Sequence, residues 1–156
     1  MTKFQARQGD VFLFAAKIPA SAKPSKADPR GVVLAEGEAT GHHHRIGPRF
    51  RSAQMLTCDE GTFLRVTGPV GRSIRAEELS KILNDDIRAR ALFGSGLSDV
   101  RPMPAAERTA IAVEAEDLGA VALDHEEHGE HYCPPGEYRV RIQREYTPDA
   151  VRQVVD

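Results

Sequence analysis

Short apolar runs, each ended by a turn residue, are the feature that most limits what this chain can fold into. The clearest run, Glu137–Tyr146, alternates polar and apolar residues with the period of two that a half-buried strand requires. The same reasoning predicts strands over Val11–Ile18, Val32–Glu36, Phe50–Thr57, Phe63–Thr67, Thr109–Glu114 and Ala120–Asp124. The sequence therefore predicts a mainly β fold, a small single-domain β-barrel or sandwich.

One segment interrupts this pattern with the spacing of an amphipathic helix. Apolar residues recur every three or four positions between Ser73 and Phe93, and Gly94 can end the helix. We therefore expect a helix over about residues 74–93 and, with the loop that follows it, a helical insertion over residues 73–106 in one β-rich domain of residues 1–156. Thr147-Pro148-Asp149 is typical of a helix start, which predicts a short C-terminal helix.

Composition excludes several classes of protein. A chain of 156 residues with 40% hydrophobic and 28% charged residues can bury one ordinary core. A net charge of −2 gives no overall basic field of the kind that marks nucleic-acid binders, and two cysteines are too few for a disulfide framework. The apolar run Val11–Ala16 is too short for a signal peptide or a membrane span. We expect a cytoplasmic protein without a membrane partner.

The six histidines fall into two short segments, and the first is His42-His43-His44. In an extended chain, His42 and His44 point to one side and His43 points to the other. Two imidazoles on one strand face, two residues apart, can share a metal ion. This spacing makes His42 and His44 candidate metal ligands.

The second segment contains His125, His128 and His131. For His125 and His128 to bind one ion the chain must turn between them, and Gly129 permits such a turn. Alternatively, His125 and Glu127 share a face, and His128 or His131 joins them from the loop. Spacing alone leaves both arrangements open.

Together the two segments predict one metal site, with His42, His44, His125 and His128 as ligands. Imidazole and carboxylate ligands suit a divalent transition metal such as zinc, iron, nickel or manganese. Glu126 or Glu127 could then act as a catalytic acid or base. The competing interpretation is that the histidines are solvated or hydrogen-bonded structural residues.

Two stretches resemble known sequence motifs. Gly37-Glu-Ala-Thr-Gly-His-His-His44 is similar to the first cupin motif, and Pro134-Pro-Gly-Glu-Tyr138 is similar to the Pro-x-Gly of the second. The resemblance implies a cupin-like metal-binding fold. The ligand set must differ, because Tyr138 and Arg139 stand where a cupin has its last histidine.

The chain also resembles a small uncharacterised bacterial family. The resemblance is carried by Gly9-Asp10-Val11, Gly41–His44, His125–His128 and the closing stretch Tyr138–Tyr146. It implies a bacterial origin and no particular activity.

The last predicted strand provides a second candidate site. Arg139 and Arg141 project from one face of Glu137–Tyr146, and Arg45 could join them if its segment is adjacent. Such arginines could anchor a small anionic substrate of a metal-dependent enzyme. The alternative function is a non-catalytic module that binds nucleic acid or a protein through this face. The interpretation without a binding role is that the face is a solvated strand surface. A homodimer formed through edge strands is a further expectation.

Overall fold

Two antiparallel sheets dominate the structure, a computed structural model that describes residues 4–36, 42–93, 103–126, 129–146 and 151–153. The larger sheet has six strands and the smaller has four among these residues. The strands do not close into a barrel within this part of the chain, so the mainly β prediction is confirmed in its sandwich form.

The strands are β1 (Gln5–Gln8), β2 (Val11–Ala15), β3 (Lys23–Pro24), β4 (Val32–Glu36), β5 (His43–Ile46), β6 (Ala53–Cys58), β7 (Gly61–Val66), β8 (Val121–Asp124), β9 (His131–Cys133), β10 (Gly136–Ile142), β11 (Arg144–Tyr146) and β12 (Val151–Gln153). The six-stranded sheet has the order β1-β2-β10-β7-β6-β3 and the four-stranded sheet the order β4-β5-β8-β9, while β11 and β12 form a separate hairpin. The helices are α1 (Ser73–Phe93) and α2 (Ala105–Asp117).

The main core lies between the two sheets. Alternate residues of the larger sheet, such as Leu13 and Leu64, pack against Ile46 and Leu123 of the smaller sheet, and all four are buried. Burying one such side chain contributes roughly 1.5–3 kcal/mol, which fixes the register of each strand because a one-residue shift would expose its core face.

The two helices cover the opposite face of the smaller sheet. Leu79 and Leu83 of α1 and Ala115 of α2 pack with Ala122 and Tyr132 in a second core cluster. Asn84 joins α1 to β9 through two hydrogen bonds: its side-chain amide donates to the Tyr132 carbonyl at 3.0 Å, and its oxygen accepts from the Tyr132 N–H at 2.7 Å. The predicted helix over residues 74–93 is confirmed by α1.

Two sequence predictions of local structure are wrong. Thr109–Glu114 lies in α2 and not in a strand, since Ala and Glu are strong helix formers and the helix buries Ala115 against α1. The predicted C-terminal helix is replaced by β12, in which Val151 pairs with Tyr146. Valine and tyrosine favour strands, and pairing with β11 stabilises a strand here more than the helix-start pattern at Thr147-Pro148-Asp149 favours a helix. The predicted insertion boundary at residue 106 falls inside α2.

Neither of the described helices combines the length and hydropathy that crossing a lipid bilayer would require.

The two cysteines are expected to differ in reactivity. Cys133 lies in the main core, 1% exposed, and burial raises the pKa of its thiol to about 12, whereas Cys58 is half-buried. Because the thiolate is the reactive form, we expect iodoacetamide to alkylate Cys58 in the native protein and Cys133 only after denaturation. Mass spectrometry of tryptic peptides measures both sites. Equal native labelling of the two thiols would contradict the burial of Cys133.

Candidate metal centre

Strand pairing brings the two histidine segments together. Strands β5 and β8 are antiparallel, with Arg45 opposite Asp124 and Ile46 opposite Leu123. Ile46 and Leu123 face the core between the sheets. Continuing this register by one pair places His44 beside His125 on the same inner face, because paired residues of neighbouring strands share a face.

The imidazole rings are in direct contact. The ring centroids of His44 and His125 are 4.2 Å apart, with the rings tilted by 30°. The centroids of His42 and His125 are 5.6 Å apart, and these rings meet edge to face. His42, His44 and His125 therefore form one continuous group. His42 and His44 lie on the same face of the chain, as the alternation of an extended segment predicts.

Three side chains lie close enough together to be candidate metal ligands. Among the described residues, one ligand atom from each of His42, His125 and Glu126 lies within 4.8 Å of the other two. His125 is buried, His42 is half-buried and Glu126 is exposed, so the group extends from the inter-sheet core to the surface. This gradient would give a bound ion a dry side and a side open to solvent.

Glu126 is held in place by His43 of β5. Its carboxylate accepts a hydrogen bond of 2.9 Å from the backbone N–H of His43 and lies 3.5 Å from Nδ1 of the same residue. The backbone hydrogen bond is the main cause that lowers the pKa of Glu126 to about 2, with a smaller contribution from the His125 ring. The carboxylate is therefore ionised at neutral pH, as a metal ligand must be.

His44 has a different environment, in the core between the two sheets. Its Nδ1 lies 2.9 Å from Oε1 of Gln8, and its Nε2 lies 3.1 Å from Oδ1 of Asp10. The amide nitrogen of Gln8 donates to the carbonyls of Leu123 at 2.8 Å and Gly129 at 3.0 Å. Oε1 of Gln8 is thus the acceptor that faces His44, which requires a hydrogen on Nδ1. His44 links the larger sheet to the ring of His125.

The remaining predicted residues of the second segment have different outcomes. Glu127 and His128 lie outside the described residues. His131 is buried in β9, with Nδ1 3.0 Å from the Gly129 carbonyl, and the described ligand group does not include it. Gln8 and Asp10 were missed by sequence reasoning, since residues so far from His44 in the chain give no spacing signal; Gln8 is 36 positions away.

The three arginines predicted to bind substrate lie in different sheets. Arg139 and Arg141 belong to β10 of the larger sheet, whereas Arg45 belongs to β5 of the smaller sheet. Arg45 lies opposite Asp124. Burial and the neighbouring carboxyl group of Glu130 nevertheless raise the pKa of Asp124 to about 6. Because they lie in different sheets, Arg45 and the arginines of β10 do not come together in one site.

The comparisons with known proteins bear only on the part of the candidate site that precedes His125 in the chain. No curated protein and no solved structure matches the chain. One family model matches residues 7–81, which contain Gln8, Asp10 and the His42–His44 segment and stop before His125. In agreement with the resemblance to an uncharacterised family, residues 7–81 match the domain of unknown function DUF8820.

Proposed function

We propose that this protein binds a divalent transition metal ion through His42, His125 and Glu126. The observation that carries the proposal is the 4.8 Å limit on the distances among one ligand atom of each residue. Ligand atoms that share an ion at about 2.1 Å stand roughly 3–4 Å apart, so side-chain movements of about 1 Å would complete the site.

The ligand types support the same proposal. Two imidazoles and a carboxylate suit zinc, iron, nickel or manganese, and three protein ligands leave room for water or substrate. Exposed Glu126 lies on the solvent side of the group, so the free position would be accessible. A small anionic substrate could bind there and react with activated water. The proposal includes this catalytic role, a cytoplasmic location and a cupin-like placement of the histidines between two sheets.

In this proposal His44 is a positioning residue instead of a fourth ligand. Its two ring nitrogens lie within contact distance of Gln8 and Asp10, and its ring packs against His125. Metal-binding histidines are commonly oriented by such hydrogen-bonded neighbours, and losing one typically costs about 10–100-fold in metal affinity.

The test is the metal content of untagged protein, measured by plasma mass spectrometry. We expect about one metal ion per chain in the wild type and none in the double variant His42→Ala, His125→Ala, because only one of the three ligands remains. The matched control is His43→Ala, which also removes an imidazole from β5. It retains the backbone N–H that holds Glu126, so it should retain the metal.

Two results would contradict metal binding at this site. One is a folded wild type that stays metal-free after incubation with zinc, iron, nickel and manganese. The other is a double variant that keeps as much metal as the wild type. Circular dichroism of each variant separates metal loss from unfolding.

A further inference from the structure

The outer face of the larger sheet carries alternating arginine and phenylalanine side chains. Arg7 of β1 lies opposite Phe12 of β2, and Phe12 lies opposite Arg141 of β10. Phe14 lies opposite Arg139 in the same pairing of β2 with β10. These five residues, Arg7, Phe12, Phe14, Arg139 and Arg141, are named the arginine–phenylalanine face. They point away from the core, since the intervening residues of each strand are buried.

The guanidinium groups lie over aromatic rings. The central carbon of Arg7 is 4.7 Å from the centroid of the Phe12 ring, and that of Arg141 is 5.5 Å from the Phe14 ring. Arg139 lies 5.9 Å from the ring of Phe63 on β7. All three distances are within the range of cation–π contacts, so each guanidinium group lies next to an aromatic ring of the sheet.

The charges of this face are not neutralised by carboxylates of the described residues. Arg7 donates to the Gly9 carbonyl and the Gln143 side-chain oxygen, and Arg139 donates to the Glu60 backbone carbonyl. Two arginines on other surfaces are paired with carboxylates: Arg49 forms a bidentate pair with Glu116, and Arg75 pairs with Glu114. The face therefore concentrates positive charge on a protein of net charge −2.

The face is also concave. Arg7, Phe12, Phe14 and Arg141 line a groove of about 470 Å³, together with Gln143 and neighbouring residues of β1 and β10. This volume falls within the roughly 300–1,000 Å³ of typical ligand sites. Phe12 and Phe14 are half-buried, so part of each ring remains exposed.

We propose that the arginine–phenylalanine face binds single-stranded nucleic acid. A single strand alternates flat aromatic bases with phosphates, and this face alternates phenylalanine rings with cationic guanidinium groups. Bases stack on aromatic side chains and on guanidinium planes, while arginine N–H groups donate to phosphate oxygens. An acidic peptide would satisfy the charges but would leave the rings without stacking partners. The proposal does not depend on the metal site.

The test is fluorescence anisotropy with a labelled oligothymidylate about twelve nucleotides long, in EDTA so that metal binding plays no part. Contacts from three arginines predict that the logarithm of the association constant falls against the logarithm of salt concentration with a slope of about −2. The double variant Arg7→Gln, Arg141→Gln should bind at least about tenfold more weakly, with a slope near −0.7. Phe14→Leu should weaken binding at least about fivefold by removing a stacking surface.

The matched control is Arg49→Gln, Arg75→Gln, which changes the net charge equally on other surfaces and should leave binding nearly unchanged. An equal loss of binding in this control would show a non-specific charge effect and overturn the proposal. So would undetectable binding of the wild type at low salt, or equally tight binding of a poly-glutamate peptide. Thermal melts of every variant show that each is folded at the assay temperature.

Discussion

Replacing Gln8 with leucine is expected to lower the free energy of unfolding by about 4 kcal/mol. Gln8 is 1% exposed and makes three contacts that its replacement would abolish: two to the carbonyls of Leu123 and Gly129, and one to Nδ1 of His44. Each buried polar group left without its partner costs about 1–3 kcal/mol. The effect should exceed that of a typical core substitution, although leucine is apolar and similar in size.

Gln5→Leu is the matched control for this prediction. It makes the same substitution on the same strand, at an exposed position, and should change the free energy of unfolding by less than about 0.5 kcal/mol. Urea unfolding followed by circular dichroism, with a chelator present, measures both variants without any contribution from metal binding. Similar stabilities of the two variants would show that the Gln8–His44 contact contributes little to the fold.

Replacing Asn84 with alanine is expected to lower the free energy of unfolding by about 3 kcal/mol. The Asn84 side chain is 4% exposed and is hydrogen-bonded to both the N–H and the carbonyl of Tyr132. Alanine would leave both backbone groups buried beneath α1 without these bonds, and it would also leave a small cavity. Urea unfolding is again the measurement.

Ser80→Ala is the control, one helical turn before Asn84 on the same buried face of α1. The Ser80 hydroxyl donates to the Ala76 carbonyl within its own helix, so its loss breaks no contact between elements. We expect a change of about 1 kcal/mol or less. If Ser80→Ala proved as destabilising as Asn84→Ala, the bridge from α1 to β9 would not be the cause of the larger loss.

Much of the fold could be predicted because its elements have strong local patterns. The alternation in Glu137–Tyr146 predicted that Tyr138 and Val140 face the core, and the helical spacing after Ser73 predicted α1. Local pattern failed where the tertiary partner decides the structure. The alternation in Thr109–Glu114 fits a strand, but these residues lie in α2, which packs against α1 and the smaller sheet and pairs with no strand among the described residues.

The candidate site was only partly accessible to sequence reasoning. The clustering of histidines predicted that the segments of His42 and His125 would meet, and the extended chain explained why His42 and His44 share a face. The sequence could not show that His44 would meet Gln8 and Asp10, because that contact depends on how one sheet lies over the other. It also could not choose Glu126, whose place depends on the register between β5 and β8.

The bond between Asn84 and Tyr132 also bears on how copies of this protein can associate. Strand β9 is an edge of the smaller sheet, and an edge strand offers unpaired backbone groups to any further strand. Here the side chain of Asn84, whose amide resembles that of the backbone, is already hydrogen-bonded to the N–H and the carbonyl of Tyr132. Sheet extension by a second molecule is therefore disfavoured at β9. A homodimer of the kind expected from the sequence would be more easily formed through another edge.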